Sequence, residues 1–143
     1  MKKRDLQVEL RSDPQLLSCV RALVRRYVED YGLDTDRRDK VVLAVDEACT
    51  NAIRHSYGGQ HDKTLTLALR RLHDGIEIEL RDDGLPAPAD RVAPKPADNR
   101  TRAELKPGGL GVSFIYEAFD KVMYTTGENG GNRVTLVLKR EDG

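Results

Sequence analysis

Apolar residues recur along the chain with two different spacings, and each spacing predicts a type of element. Residues 5–12 alternate between apolar and polar side chains, which predicts a short strand. Two segments with helical spacing follow, one from Asp13 to Gly32 and one from Asp34 to Gly59. Each begins at a residue type that caps helices and ends at glycine, so we predict two successive amphipathic helices.

The second half of the chain returns to alternation. Residues 63–80 alternate leucine or isoleucine with polar residues on either side of Asp74 and Gly75, which predicts a β-hairpin. Residues 108–111 read Gly-Gly-Leu-Gly and open a third helical pattern, and residues 121–139 predict two more strands around a glycine-rich turn. This order of elements predicts a two-layer α/β sandwich with helices on one face of a largely antiparallel sheet.

Length and composition restrict the class of protein. The 143 residues suit one domain; 38% are hydrophobic and 34% charged, and the formal net charge is zero. We therefore expect no general attraction to nucleic acid or to an anionic membrane. No apolar run is long enough to span a bilayer, and the basic N-terminus lacks the apolar segment of a secretory signal. We expect a cytoplasmic protein in which Cys19 and Cys49 are small core residues.

A polar stripe crosses the second predicted helix. Glu47, Asn51 and His55 are spaced four residues apart, so they share one face of the helix. Residues with core character stand beside this stripe: Val45, Ala48, Cys49 and Ala52. Polar groups next to a core either pair internally or line a cavity. An exposed helix face is the alternative, and this helix alone leaves both interpretations open.

Two further patterns carry possible chemistry. Asp82 ends a predicted strand and is followed by Asp83 and Gly84; such a carboxylate can accept a hydrogen bond from an exocyclic amine, although a simple Asp-Gly turn also explains it. Residues 83–107 hold five of the six prolines and form a long loop, typical of a functional or disordered segment. The glycines that follow open a helix whose N–H groups can bind phosphate, or they form a hinge.

Taken in order, four segments resemble the ATP-binding (Bergerat) domain of the GHKL superfamily, which includes gyrase, heat-shock chaperones and histidine kinases. The segments are EACTNAIRHSYGG (47–59), DDGLPAP (82–88), KPGGLGVSFIYEAFDKVMY (106–124) and NRVTLVLKR (132–140). Within the superfamily, the chain is most similar to the small anti-sigma-factor serine/threonine kinases. The resemblance spans essentially residues 1–143 as one domain. It implies a mixed, mostly antiparallel sheet covered on one face by helices, with an ATP lid at about 83–108.

The resemblance also implies roles in phosphoryl transfer. Asn51 would hold the Mg²⁺ that bridges the phosphates, because an amide carbonyl is a hard neutral oxygen ligand. Glu47 would be the catalytic general base that takes the proton of the substrate hydroxyl. Gly109 and Gly111 would present N–H groups to the phosphates, and Lys106 would neutralise the γ-phosphate.

The remaining implied roles concern adenine. Asp82 would accept a hydrogen bond from the adenine amine, and Gly84 would leave room for the ring. Asn132 stands where the family often has a threonine that helps hold adenine, and its amide offers similar hydrogen bonding. His55 matches the family sequence without an assigned role.

The function implied by the resemblance is that of an anti-sigma factor and kinase. Such a protein sequesters a sigma factor and uses ATP to phosphorylate a STAS-type anti-sigma-factor antagonist, and it is a homodimer. Two alternatives remain open. One is a regulatory module that binds ATP without phosphoryl transfer, and the other is a stand-alone regulator that sequesters a partner other than a sigma factor.

Overall fold

The computed structural model of the protein describes residues 3–85, 109–126 and 130–140. Five strands form one sheet: β1 (Leu6–Arg11), β2 (Thr64–Leu72), β3 (Gly75–Asp82), β4 (Lys121–Thr126) and β5 (Asn132–Lys139). Their order across the sheet is β1-β2-β3-β5-β4. All four neighbouring pairs are antiparallel, so the described strands contain no parallel pair of the kind that a mixed sheet has.

The described residues form three α-helices beside the sheet: α1 (Leu17–Glu29), α2 (Thr35–Asn51) and α3 (Gly109–Ala118). Asp13 caps the 3₁₀ turn that leads into α1, and its carboxylate accepts a hydrogen bond from the Gln15 N–H at 3.0 Å. Asp34 caps α2 in the same way and accepts from the Arg37 N–H at 2.8 Å. The α2 helix does not stop at Asn51 but continues into one turn of π-helix (Ala52–Ser56).

The core lies between the helices and one face of the sheet. Strand alternation directs one set of side chains toward the helices, and these are almost fully buried: Leu65, Leu67, Leu69, Ile76, Ile78, Leu80, Val134, Leu136 and Leu138. This arrangement confirms the predicted α/β sandwich. No helix in the described segments has the length and apolar character needed to cross a bilayer.

The two cysteines lie in different environments. Cys49 is buried in the core, as predicted, and burial raises the pKa of its thiol to about 12. The prediction for Cys19 was wrong, because its side chain is exposed. The buried stripe of α1 is made by Leu17, Val20, Val24 and Val28, and Cys19 lies off that stripe.

Ion pairs cover the opposite face of the sheet, on which none of the helices given above packs. The Glu77 carboxylate lies 3.0 Å from Arg70 Nε, and the Glu79 carboxylate lies 3.2 Å from an Arg4 guanidinium nitrogen. Both glutamates are less than a tenth exposed, because the arginine side chains lie over them. The sheet thus has one apolar face, which packs on the helices, and one charged face.

Candidate nucleotide-binding site

Two polar side chains interrupt the apolar face at the same end of the sheet. Ile76, Ile78 and Leu80 of β3 face the helices, and Asp82 is the next residue in that alternation. In the register of β3 and β5, Asp82 lies directly opposite Asn132. A carboxylate and an amide therefore occupy helix-facing positions where the apolar residues end. Asp82 remains buried, with 8% of its surface exposed.

The Asp82 carboxylate accepts three hydrogen bonds. Oδ1 receives the Gly84 N–H at 2.9 Å and the Asn132 amide nitrogen Nδ2 at 3.0 Å. Oδ2 receives the Ser56 hydroxyl at 3.0 Å. A carboxylate offers about four acceptor positions, so these three donors leave one position, on Oδ2.

The π-turn after α2 brings Ser56 to this carboxylate. In a regular α-helix, Ser56 would lie about 140° around the axis from Asn51. The Tyr57 N–H instead bonds to the Ala52 carbonyl at 3.2 Å, an i to i+5 bond that widens the turn and rotates each residue by less. Ser56 is thereby moved toward the face that carries Asn51. The sequence pattern gave Ser56 no role, since helical periodicity does not reveal a change of helix type.

The segment after Asp82 is held against the same turn. The Leu85 N–H donates to the Ser56 carbonyl at 2.9 Å, and the Asp83 N–H donates to the Tyr57 hydroxyl at 2.7 Å. Burial raises the pKa of the Tyr57 hydroxyl, which keeps it protonated. A Cβ on Gly84 would overlap the Ser56 backbone and lie 2.7 Å from Ser56 Cβ. Gly84 therefore permits a close approach within the protein, in addition to the predicted room for adenine.

The polar stripe of α2 is only partly exposed, and one of its atoms lacks a partner. The carbonyl oxygen Oδ1 of Asn51 is buried and accepts no hydrogen bond from any described residue. Glu47 lies one turn earlier with its side chain partly exposed, and His55 is partly buried in the π-turn. An unsatisfied buried carbonyl oxygen is the ligand type that Mg²⁺ accepts from proteins.

A magnesium ion held by nucleotide phosphates fits this donor set better than an all-protein metal centre. Within the described ranges, no three His, Cys, Asp or Glu side chains cluster closely enough to hold a metal. Mg²⁺ in nucleotide sites takes one or two protein ligands and completes its shell with phosphates and water. The residues present therefore fit the ion that the sequence predicts, and Asn51 offers it one oxygen from α2.

The predicted phosphate-binding segment is described only in part. Helix α3 begins at Gly109, as predicted, and Gly111 lies in its first turn. N–H groups in the first turn of a helix have no partner within the helix, so they are available to an anion. Lys106 and the lid from residue 86 to residue 108 lie outside the described residues.

A cavity of about 420 Å³ reaches the same strand ends from the other side. Thr66, Arg81, Thr125 and Arg133 line it, and the strand register places these four in one row on the charged face of the sheet. The cavity shares Asp82 and Asn132 with the candidate site but includes neither Glu47 nor Asn51. The predicted nucleotide-binding residues of α2 therefore do not line this cavity.

The protein is a two-layer α/β sandwich in which a helix carries Glu47 and Asn51 and a strand ends in the buried Asp82. This combination is typical of a class of nucleotide-binding domains, and comparison with known proteins identifies the family. Residues 10–138 match the histidine kinase-like ATPase domain. The chain belongs to this family.

Two relatives and one solved structure extend the comparison. The chain is 29% identical to the anti-sigma F factor of Geobacillus stearothermophilus over 132 residues, covering 92% of this chain and 88% of that protein. It is 28% identical to the serine-protein kinase RsbW of Halalkalibacterium halodurans over 142 residues, covering 96% and 85%. The SiaB–SiaC complex of Pseudomonas aeruginosa contains a chain with the same fold, at a TM-score of 0.69 and 16% identity, covering 94% of this chain and 89% of that one.

Proposed function

We propose that the protein binds ATP with Mg²⁺ and phosphorylates a serine or threonine of a STAS-type anti-sigma-factor antagonist, and that it sequesters a sigma factor. Relatives named as an anti-sigma F factor and as a serine-protein kinase support both halves of this proposal. The proposed unit is a single ATPase domain of residues 1–143 with its lid at about 83–108. It acts in the cytoplasm as a homodimer.

The observation that carries the proposal is the buried Asn51 carbonyl oxygen, which has no donor among the described residues. Buried polar atoms are nearly always hydrogen-bonded, so an unpaired one is a position that a water or a ligand can fill. Glu47 precedes it by one helical turn on the same face. A carboxylate beside a magnesium ligand is the arrangement that phosphoryl transfer requires, because the reaction depends on positioning and charge neutralisation.

In the proposed reaction, the substrate hydroxyl oxygen forms a bond to the γ-phosphorus while the bond from that phosphorus to the β–γ bridging oxygen breaks, which leaves ADP. Glu47 accepts the proton of the hydroxyl. Asn51 would hold the Mg²⁺, which would supply charge neutralisation at the phosphates. Asp82 fixes the adenine amine, and the first-turn N–H groups of Gly109 and Gly111, together with Lys106, contact the phosphates.

The proposal is tested by incubating the chain with [γ-³²P]ATP and each purified STAS-domain protein of the source organism. The matched variant is Glu47→Gln, which keeps the shape of the side chain and removes its basicity. We expect label on one STAS protein with the wild type and at least about a hundredfold less with Glu47→Gln, whereas ATP affinity changes by less than about threefold.

The outcomes separate the proposed kinase from its alternatives. ATP binding without label on any STAS protein would contradict the kinase assignment and favour the regulatory module that binds ATP without transfer. Equal loss of ATP affinity and transfer in Glu47→Gln would contradict its role as a base. Sequestration is measured separately, by size-exclusion chromatography of the chain with each sigma factor in the presence of ATP.

A further inference from the structure

The Asp82 carboxylate is fixed from both sides by a closed set of side-chain hydrogen bonds. Ser56 Oγ donates to Oδ2 at 3.0 Å, and Asn132 Nδ2 donates to Oδ1 at 3.0 Å. Asn132 Nδ2 also lies 3.1 Å from Ser56 Oγ and 2.7 Å from the Leu85 carbonyl oxygen. Because donors engage both oxygens, the carboxylate cannot rotate without breaking a hydrogen bond.

These contacts give Asn132 a role within the protein. Its amide nitrogen, with two hydrogens, serves acceptors on Asp82, Ser56 and Leu85, all within the protein. Asn132 therefore acts on adenine through Asp82, rather than by donating a hydrogen bond to adenine itself. Ser56, which has no assigned role, completes the same arrangement from the π-turn.

We propose that Ser56 is a positioning residue. Together with Asn132, it leaves the Asp82 carboxylate with a single open acceptor direction, and the site therefore selects a nucleotide base with an exocyclic amine. The inference rests on the proposed nucleotide binding. A buried acceptor with one fixed free direction gains a hydrogen bond from a ligand that has a donor there and stays unsatisfied with a ligand that lacks one. Selectivity for the amine then depends on Ser56 as well as on Asp82.

The burial of this region explains why the Ser56 hydroxyl matters. Ser56 is 9% exposed and Asp82 is 8% exposed, and Gly84 packs directly on the Ser56 backbone. Loss of the Ser56 hydroxyl would free Oδ2 in a site with little access to water. The carboxylate would still be held through Oδ1 by Gly84 and Asn132, but Oδ2 would offer two open acceptor positions instead of one fixed direction.

The test compares two nucleotides that differ only in the amine, ATP and purine riboside 5′-triphosphate, by calorimetric titration in the presence of Mg²⁺. The proteins are the wild type, Ser56→Ala, Asn132→Ala and the matched control Ser18→Ala, whose serine is exposed on α1. We expect the wild type and the control to prefer ATP by about tenfold or more, from one hydrogen bond to a charged group. The preference should fall to about threefold or less in Ser56→Ala and in Asn132→Ala.

A change in selectivity separates positioning from a general structural effect. A purely structural effect lowers the affinity for both nucleotides equally and leaves the ratio of the two affinities unchanged. An unchanged ratio in Ser56→Ala would overturn the inference, while the proposed ATP binding would stand. Absence of ATP binding in the wild type would overturn the proposed function itself. Should Ser56→Ala melt before the titration temperature, Asn132→Ala tests the same carboxylate from β5. Asn132→Thr keeps a donor, so we expect it to retain the preference; its loss there would contradict the inference.

Discussion

Replacing Asp82 with asparagine separates the contribution of this carboxylate to the fold from its contribution to ligand binding. The carbonyl oxygen of the substituted side chain can still accept from the Gly84 N–H and from Asn132, which in the wild type bond to Asp82 Oδ1 at 2.9 and 3.0 Å. The new amide can donate to Ser56 Oγ, which already lies within 3.1 Å of one donor, Asn132 Nδ2. The first two contacts persist with a neutral acceptor and the third reverses its direction, so we expect the free energy of unfolding to fall by only about 1 kcal/mol.

The effect on nucleotide binding is much larger. In the wild type, Oδ2 has one open acceptor position, which can accept a hydrogen bond from the adenine amine. In the variant, an amide N–H takes that position, so two donors face each other. A hydrogen bond to a charged group contributes about 1.5–3 kcal/mol, so its loss lowers ATP affinity by about ten- to a hundredfold. The repulsion between the amide N–H and the adenine amine lowers the ATP affinity further.

Urea denaturation and calorimetric titration with ATP measure the two effects. Asp83→Asn is the matched control, because it removes the same charge from the neighbouring, exposed residue. ATP binding by Asp82→Asn within about threefold of the wild type, or an equal loss of affinity in Asp83→Asn, would exclude Asp82 as the acceptor of the adenine amine. Asp82→Ala removes all three acceptor contacts and should cost about 3 kcal/mol; an equal loss of stability in Asp82→Asn would contradict the expectation that asparagine keeps them.

Two further predictions concern α2 and the cysteines. Asn51→Ala should reduce ATP affinity in Mg²⁺ to the value measured in EDTA. The melting temperature should fall little, because the lost oxygen has no donor among the described residues. If Mg²⁺ still raised the ATP affinity of this variant as it does in the wild type, Asn51 would be excluded as the magnesium ligand. Iodoacetamide at pH 8 should label Cys19 within minutes and Cys49 only after unfolding, because burial shields Cys49 and raises the pKa of its thiol to about 12. Mass spectrometry of the native protein reads both sites, and rapid labelling of Cys49 would show that the core is open there.

Much of the fold follows from spacing alone. Alternation and helical periodicity predict each described strand and α-helix, because each buries one face and the buried residues keep the period of the element. The same rule carries information about the site. Asp82 and Asn132 continue the buried alternation of β3 and β5, so the pattern, followed past its last apolar residue, places both on the helix-facing side.

Ser56 could not be found in this way. An α-helical pattern places it away from Asn51, and only the i to i+5 bond of the π-turn turns it toward Asp82. The error at Cys19 has a related cause, since an apolar residue type beside a buried stripe was assigned to the stripe itself. The pattern of a single sequence predicts the period of an element. It does not predict a local change of helix type, nor which residues beside a buried stripe are exposed to solvent.

Calorimetric titration of the wild-type chain with ATP, once in Mg²⁺ and once in EDTA, tests whether this domain binds ATP through Asp82 and through Mg²⁺ held by Asn51. We expect one ATP per chain, with affinity at least about tenfold higher in Mg²⁺. Binding of equal strength in both buffers would contradict the metal assignment, and absence of binding in both would contradict the nucleotide site.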